Sequence, residues 1–218
     1  MKKTNISNNV IRRLPRYLRK LDDLAYHGVD RISSSELGKQ MGLTPSQIRQ
    51  DFSCFGEFGQ QGYGYNVEGL HYEISNILGM RNGFSVILVG VGNLGHALLE
   101  NFGFEKYGFR VLAAFDVRSE LIGTTIAGVP VFDIANQASF IRQNDVDIAV
   151  LTVPKRVARD VAEELVDGGI KAIWNFTNIE LEIKDPNVVI ENIHFSDSLL
   201  VLSYYLSEKL REGKEKQQ

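Results

Sequence analysis

Three glycines at positions 90, 92 and 95 have a spacing that can bind a phosphate group. They follow an apolar run of strand character over residues 84–89 and precede an apolar pattern of helical period. In such a turn the first glycine allows a sharp bend, the second lets backbone approach a pyrophosphate, and the third allows close helix–strand packing. A second apolar run over residues 111–115 ends at Asp116, a carboxylate suited to the hydroxyls of an adenosine ribose. The pattern predicts a dinucleotide site that comprises Gly90, Val91, Gly92, Asn93, Leu94, Gly95 and Asp116.

The rest of this site is predicted at the ends of two later strands. Apolar runs over residues 147–153 and 171–176, separated by a helical pattern over 155–166, favour a doubly wound parallel sheet. Residues 126–132 are also strand-like, with a turn expected at 128–130. Ligands bind at the carboxyl ends of such strands, so we expect the nicotinamide ribose and ring near Thr152, Val153, Pro154, Asn175 and Phe176. Asp116 favours NADH and NAD+ because its charge repels a 2′-phosphate, although nearby Arg118 could accommodate one.

The first eighty residues have a different character and predict a small helical domain. A first helix is expected from about residues 12–15 to Tyr26, with Pro15 in its first turn. Ser33 and Glu36 have capping-box spacing ahead of a short helix over residues 36–41, and a second helix follows over 46–55. A further amphipathic helix runs from residue 67 to 78. Two short helices joined by a tight turn favour a helix-turn-helix, with a small protein–protein module as the alternative.

Glycines and aromatic residues follow the second of these helices. Residues 56–65 contain four glycines with aromatic and amide side chains between them, which favours a hairpin wing over a plain linker. Residues 1–20 carry seven basic groups and no acid, which supports a localised nucleic-acid-binding face. We expect phosphate contacts from Arg12, Arg13, Arg16, Lys39 and Arg49, base contacts from Ser46, Gln47, Arg49 and Gln50, and minor-groove contacts from Gln60, Gln61, Gly62 and Tyr63.

The overall composition of the 218 residues is that of an ordinary globular protein. Hydrophobic residues make up 44% and charged residues 23%, with a formal net charge of −3, which argues against nonspecific nucleic-acid coating. No apolar run approaches membrane-spanning length, and one cysteine fits a reducing compartment, so we expect a cytoplasmic protein without a metal site. Cys54 lies on the second short helix and is either a buried small residue or a minor thiol switch.

Taken together, the two halves of the chain resemble the Rex family of bacterial redox-sensing repressors. The resemblance rests on ordered motifs over nearly the whole chain, at residues 11–17, 31–34, 46–51, 55–59, 62–65, 90–95, 128–131, 151–154, 169–171 and 202–206. It implies a homodimer that binds palindromic operator DNA through two winged domains, carries NADH or NAD+ in two Rossmann domains and is released by NADH. It also implies a carboxy-terminal helix exchanged between subunits.

Residues just before and within that last helix show where the chain agrees with the family and where it departs. The resemblance implies that Phe195 approaches the partner's nicotinamide; from the residues alone, a core aromatic is equally plausible. Some family members carry an Asp at the position of His194, linked to an Arg that matches Arg19 and to a Tyr that here is Asn101. These departures put that ionic switch in doubt for this chain.

We therefore expect an α/β protein with three parts. Residues 1–80 are predicted to be a winged helix-turn-helix domain, 81–192 a Rossmann domain and 193–218 an exchanged helix. The alternative is an NAD-dependent oxidoreductase with an accessory amino-terminal domain. It is disfavoured because no second large domain remains to supply a substrate pocket and a positioned acid or base. A scaffold that binds CoA or a nucleotide would leave the basic helix-turn-helix unexplained.

Overall fold

A computed structural model describes residues 6–56 and 63–215. The chain divides into two compact units, Met1–Asn82 and Gly83–Gln218. No helix within the described residues is long and apolar enough to cross a membrane. Each unit has its own apolar core, and the two are described in turn.

The first unit is helical with one small two-stranded sheet. Its elements are α1 (Asn8–Tyr26), β1 (Arg31–Ile32), α2 (Ser34–Met41), α3 (Pro45–Ser53), β2 (Tyr65–Asn66) and α4 (Val67–Ile77). The apolar faces of the helices meet in one cluster with Leu21, Leu37, Ile48 and Phe52 at its centre. Strands β1 and β2 pair antiparallel, which ties the end of the glycine-rich segment to the residues that precede α2.

Local sequence signals set most helix ends in this unit. Ser33 and Glu36 form the predicted capping box, and α2 ends at Gly42 in the left-handed conformation with φ of 68°. Pro15 was expected in the first turn of α1, and that prediction is wrong. The helix begins seven residues earlier, where the Ser7 hydroxyl accepts a hydrogen bond from the Val10 N–H. Pro15 is tolerated inside α1 because it lies on the exposed face, where water can satisfy the carbonyl that it leaves unpaired.

The second unit is a sheet with helices on both faces. Its elements are β3 (Ser85–Val89), α5 (Asn93–Asn101), β4 (Arg110–Asp116), β5 (Thr125–Ile126), β6 (Val129–Asp133), α6 (Gln137–Asn144), β7 (Ile148–Leu151), α7 (Ala158–Asp167), β8 (Ala172–Asn175), β9 (Val189–Asn192) and α8 (Phe195–Glu215). In the described part of this unit the strand order is β5-β6-β4-β3-β7-β8-β9, and all neighbours pair parallel except β5 with β6. From β6 to β9 this is the strand order of dinucleotide-binding folds, so the predicted doubly wound parallel sheet is confirmed.

Two predicted elements of the sheet differ from those observed. The strand-like run over residues 126–132 is a hairpin whose turn lies at Ala127 and Gly128, both with positive φ, and Val129 and Pro130, expected in the turn, begin β6. The helix expected from residue 155 begins at Ala158, because residues 155–157 form a turn after the exposed Pro154. Strand β3, buried along its whole length, lies at the centre of the sheet and separates the two apolar clusters on its faces.

Helix α8 differs from every other helix described in how its apolar residues are covered. Its large apolar residues are all more than half exposed. They are Phe195, Leu199, Leu200, Val201, Leu202, Tyr204, Tyr205, Leu206 and Leu210. A helix of 21 residues that buries so little of its apolar surface within its own chain needs another partner surface in water.

Candidate dinucleotide-binding site and nucleic-acid interface

The glycine turn joins β3 to α5 beside β7, where the strand order of the sheet reverses. Gly90 has φ of 96°, and a Cβ there would lie 2.9 Å from the Thr152 backbone. A Cβ at Gly95 would collide with the Gly90 carbonyl oxygen, so α5 packs this closely only with glycine. Gly92 differs, because nothing described lies within 4 Å of its Cβ position. The turn is therefore tight at two glycines and open at the third, which fits the approach of a pyrophosphate to Gly92.

The start of α5 has the features of an anion site. Among the described residues no side chain caps the helix at Gly92, so the backbone N–H groups of its first turn are available to a ligand. Asn93 and Gly92 are exposed, whereas Val91 is buried beneath the turn and Leu94 packs against the core. Thr152 secures the turn from the neighbouring strand, because its hydroxyl donates to the carbonyl oxygens of Val89 at 3.1 Å and Gly90 at 2.6 Å.

Asp116, at the end of β4, lies directly beside this turn. Its Oδ2 accepts the Val91 N–H at 2.7 Å, and its Oδ1 accepts the Arg118 backbone N–H at 2.9 Å. The Arg118 side chain donates to both oxygens, from Nε at 3.0 Å and from Nη2 at 3.3 Å. Burial alone would raise the pKa of Asp116, but the hydrogen bonds from Arg118 and Val91 outweigh it and hold this pKa below its ordinary value. The carboxylate is therefore ionised at neutral pH.

A cleft of about 300 Å³ opens between the start of α5 and the residues that follow β4. Its lining comprises Val91, Gly92, Asn93, His96, Ala97, Glu100, Arg118 and Leu121. The position of the cleft beside Asp116 corresponds to the adenosine end of the predicted site. Ala97, Glu100 and Leu121 were not expected in the site from the sequence. Glu100 had a visible signal, because it lies four residues after His96 on the same face of α5.

The predicted nicotinamide residues lie at the carboxyl ends of the two strands on the other side of the turn. Thr152, Val153 and the exposed Pro154 follow β7, while Asn175 ends β8 and Phe176 follows it. The buried Asn175 organises its own loop, because its Oδ1 accepts the Thr177 N–H at 3.0 Å and its Nδ2 donates to Asn192 at 2.7 Å. The structure thus brings these five residues to the same edge of the sheet as the glycine turn.

Aromatic rings form a continuous series from the start of α8 into the sheet. The Phe195 ring lies 6.0 Å from Phe176, which lies 4.5 Å from Trp174, and Trp174 lies 5.1 Å from Phe102. Phe176 is buried, but Phe195 remains 54% exposed on its outer side. Phe195 is therefore not a core aromatic of its own chain, and the face that it shares with Phe176 is apolar.

The residues that vary from the family pattern have partners in the structure. His194 Nε2 lies 2.9 Å from Glu180 Oε1, and Asn192 donates to the other oxygen of Glu180 at 2.7 Å. Asn101 donates to the Ala97 carbonyl within α5 at 3.1 Å, and Arg19 is exposed on α1. His194 therefore pairs with a carboxylate of its own unit.

In the first unit the central polar feature is a buried carboxylate on α3. Asp51 is fully buried and accepts hydrogen bonds from Arg13 Nε at 2.6 Å and Nη2 at 2.8 Å, from the Tyr17 hydroxyl at 2.7 Å and from Gln47 Nε2 at 2.8 Å. Burial opposes the charged form, yet these hydrogen bonds prevail and lower the pKa of Asp51. Burial and the bond to Asp51 raise the pKa of Tyr17. The network fixes α3 against α1.

This network changes the interpretation of two residues expected at the DNA. Two donors of the Arg13 guanidinium are used by Asp51, and the side chain is only 21% exposed. Because a carboxylate can only accept, the Gln47 amide must face Asp51 with its nitrogen. Sequence reasoning missed Asp51 itself, although an acidic residue between Ile48 and Phe52 on an apolar helix face was a visible signal.

The other predicted DNA contacts lie on exposed positions of the first unit. Arg12, Arg16, Lys39, Ser46, Arg49, Gln50 and Tyr63 are all exposed. Arg49 is oriented by the hydroxyls of Ser34 at 3.0 Å and Ser46 at 3.3 Å, which connects the starts of α2 and α3. Gln60, Gln61 and Gly62 lie outside the described residues.

Clusters of metal ligands are absent from the part of the chain that the structure describes. Within residues 6–56 and 63–215, no group of three or more His, Cys, Asp or Glu side chains could hold a metal ion. Cys54 is partly buried at the end of α3, where its Sγ lies 3.4 Å from the Gln50 carbonyl oxygen.

Family models match both parts of the chain. Residues 5–53 match the model described as "Putative DNA-binding protein N-terminus", and residues 81–179 match the model described as "CoA binding domain". The first match covers α1 to α3 of the helical unit, and the second covers most of the parallel sheet.

Curated relatives and solved structures match over nearly the full length. The chain is 54% identical to the redox-sensing transcriptional repressor Rex of Caldicellulosiruptor saccharolyticus, over 100% of this chain and 99% of the relative. It is 50% identical to the Rex repressor of Clostridium botulinum strain Hall, over 95% and 98% of the two chains.

Two crystal structures of the Rex-family repressor RSP match in fold. The complex with β-NAD+ and operator DNA has a TM-score of 0.87 and 47% identity, over 99% of both chains. The complex with β-NADH has a TM-score of 0.88 and 45% identity, over 97% of this chain and 99% of the other. With full-length identity of this degree and the same fold, this chain belongs to the Rex family of redox-sensing transcriptional repressors.

Proposed function

We propose that this protein is a dimeric DNA-binding repressor that senses the ratio of NADH to NAD+. It binds a palindromic operator when NADH is low and is released when NADH enters the Rossmann site. The single observation that carries the proposal is that one chain combines a helix-turn-helix unit with an open glycine turn beside Asp116. A repressor 47% identical over 99% of this chain has been crystallised with both NAD+ and operator DNA.

The proposed dinucleotide contacts run along one edge of the parallel sheet. We assign the pyrophosphate to the turn from Gly90 to Gly95, the adenosine ribose to Asp116, and the nicotinamide end to the loops after β7 and β8. The bound dinucleotide supplies a ring that is neutral as NADH and positively charged as NAD+. Phe176 presents an apolar face at that end, and in the proposed dimer Phe195 of the partner subunit would add a second one; an apolar environment disfavours the charged ring. This difference in affinity is what a switch between two states requires.

The proposed DNA contacts divide into positioning and base-reading groups. Arg12, Arg16, Lys39 and Arg49 are exposed cations that we assign to phosphates, with Ser46, Arg49 and Gln50 facing bases from the start of α3. Gln47 would reach a base through its Oε1, and Arg13 a phosphate through the guanidinium nitrogen left after Asp51. Gln60, Gln61, Gly62 and Tyr63 remain assigned to the minor groove.

The dimer follows from the uncovered helix at the end of the chain. We assign residues 1–80 to DNA binding, 81–192 to the dinucleotide and 193–218 to a helix exchanged with a second copy. The apolar side chains of α8, from Leu199 to Leu210, would be buried in that exchange. Phe195 at its base would then approach the nicotinamide of the partner subunit.

The alternative function is that of an oxidoreductase with an accessory domain. The close relatives are named as transcriptional repressors, which are regulators rather than enzymes. Hydride transfer to a substrate needs a positioned acid or base beside the nicotinamide. His194, next to the proposed ring site, is engaged with Glu180, so we propose no catalytic role. As a repressor, the protein would act in the cytoplasm with the chromosome.

Reciprocal linkage between the two ligands tests the proposal. The affinity for NADH is measured by energy transfer from Trp174, the one tryptophan of the chain, with and without an operator selected from random-sequence duplexes. Linkage requires that operator DNA weakens NADH binding by the factor by which NADH weakens operator binding, typically about 5- to 150-fold. A scrambled duplex of equal length is the control, and equal NADH affinity with both duplexes would contradict the proposal.

A further inference from the structure

The acceptor positions on Asp116 are all occupied in the structure. A carboxylate offers about four lone-pair positions. Two of them on Asp116 accept backbone N–H groups, from Val91 at 2.7 Å and Arg118 at 2.9 Å. The other two accept the Arg118 side chain, from Nε at 3.0 Å on Oδ1 and from Nη2 at 3.3 Å on Oδ2. Asp116 therefore has no remaining acceptor position for a ligand while Arg118 keeps this conformation.

The two side-chain donors correspond in number to the hydroxyls of the adenosine ribose. The backbone donors belong to the strand end and the glycine turn, so they cannot leave without disrupting the fold. The Arg118 side chain is different, because it is 45% exposed and lines the open cleft beside α5. Its Nη2 also donates to the Val91 carbonyl oxygen at 2.5 Å, which holds the guanidinium over the place where the ribose would bind.

We propose that the Arg118 side chain lowers the affinity of the dinucleotide site, because it occupies the two acceptor positions on Asp116 that a ribose diol must take. This inference rests on the proposed function, since it concerns the adenosine end of the same site. The nucleotide displaces the guanidinium from Asp116, and each of its ribose hydroxyls replaces one side-chain hydrogen bond. Arg118 thereby competes with the ligand, and it keeps the carboxylate hydrogen-bonded when the site is empty.

Arg118 competes with the ligand at the adenosine end of the site, and this location determines which ligands its removal should affect. The nicotinamide ring is expected at the loops after β7 and β8, on the other side of the glycine turn. NADH, NAD+ and ADP-ribose share the adenosine ribose and pyrophosphate and differ only beyond them. Removal of the Arg118 side chain should therefore strengthen binding of all three ligands by the same factor and leave the preference between NADH and NAD+ unchanged.

The experiment compares Arg118→Ala with the wild-type full-length protein by isothermal titration calorimetry, using ADP-ribose, NADH and NAD+. We expect about two- to fivefold tighter binding of each ligand, which is the range of one half-exposed ion pair. Arg110→Ala is the matched control, because Arg110 is an exposed arginine at the opposite end of the same strand. This control removes the same charge without touching Asp116 and should bind all three ligands as the wild type does.

Three results would overturn the inference. Weaker or unchanged binding in Arg118→Ala would mean that the guanidinium contacts the ligand or plays no part. Different factors for NADH and NAD+ would place its effect at the ring. An equal increase in ligand affinity in Arg110→Ala would mean that the effect comes from net charge alone. Failure of the proposed function would look different. A wild-type protein that binds ADP-ribose but stays on its operator in the presence of NADH would refute the proposed function, while the comparison of ligand affinities would remain valid.

Discussion

Asp116 connects the glycine turn to the end of β4, because each of its carboxylate oxygens accepts a backbone N–H. Its Oδ2 holds the Val91 N–H, so the carboxylate helps to shape the turn as well as offering itself to a ribose. Its exposure is only 8%, while the Arg118 side chain beside it is 45% exposed. One partner of the pair is thus fixed, and the other can move.

Replacement of Asp116 tests the assignment of the adenosine ribose. In Asp116→Ser the acceptor for the hydroxyls is lost, and Arg118 is released to meet a 2′-phosphate. We expect NADH binding to weaken by about tenfold or more, and binding of NADPH relative to NADH to rise, as measured by calorimetry. Asp133→Ser is the matched control, since Asp133 is the register partner of Asp116 on β6. An unchanged NADPH-to-NADH ratio would contradict the assignment.

Residues in this site differ in how visible they were in the sequence. Gly90, Gly92, Gly95 and Asp116 were predictable because their roles follow from local spacing after a strand. The saturation of Asp116 by Arg118 was not, because two-residue spacing permits both contact with the carboxylate and contact with a ligand. Which of these contacts Arg118 makes depends on the Val91 carbonyl. Val91 is 27 residues away in the sequence, and the fold brings it next to Arg118.

At the scale of elements, helix α3 is held by a polar contact within an apolar core. Asp51 on α3 binds Arg13 and Tyr17 on α1, which are 38 and 34 residues away. The folded-state pKa of Asp51 lies below its ordinary value, so ionised Asp51 stabilises the folded state. This contribution is fully present above about pH 4 and is lost as the pH falls through the lowered pKa.

Asp51→Asn should therefore change both the stability and its dependence on pH. We expect the free energy of unfolding at neutral pH to fall by about 3 kcal/mol, because Arg13 loses its buried partner. Below about pH 4 the variant should lose stability less steeply than the wild type. Urea unfolding followed by circular dichroism at several pH values measures both quantities.

Asp23→Asn is the control for this prediction. Asp23 is an exposed carboxylate on α1 that contacts Lys20 within the same helix, so its removal should leave the free energy of unfolding nearly unchanged. If Asp51→Asn kept the acid dependence of the wild type, the stabilising role of the ionised Asp51 would be refuted.

Elements with local end signals were predicted best. The capping box of Ser33 and Glu36 and the stop at Gly42 depend on residues within one helix, and both are confirmed. A turn was expected at residues 128–130 between β5 and β6, and the observed turn lies one residue earlier because Ala127 as well as Gly128 adopts positive φ. Strand β9 and helix α6 were not predicted, since each has few apolar positions; Ile141 is the apolar residue of α6 that is fully buried, and Ile190 in β9 is only partly buried.

For the molecule as a whole, the uncovered helix α8 implies a second copy. Leu202 is 62% exposed and lies at the middle of a helix whose apolar residues point in several directions. Such a helix is expected when it is surrounded by a partner. The family resemblance implied this exchanged helix, but its lack of intrachain cover is visible only in the structure.

A charge in the middle of α8 should therefore prevent dimer formation. We expect Leu202→Glu to sediment as a monomer in analytical ultracentrifugation and to lose operator affinity, because a buried unpaired carboxylate is strongly unfavourable. Lys214→Glu, near the end of the same helix, introduces the same charge at an exposed polar position and should remain dimeric. A dimeric Leu202→Glu protein would mean that α8 is not the dimer contact.

The central claim is that the form of the dinucleotide determines operator affinity. Its most direct test is fluorescence anisotropy of the full-length protein on a labelled palindromic operator at fixed salt, titrated with NADH and separately with NAD+. We predict that NADH releases the DNA at concentrations at which NAD+ leaves the complex intact. Equal effects of the two forms, or DNA binding that neither form changes, would contradict the account.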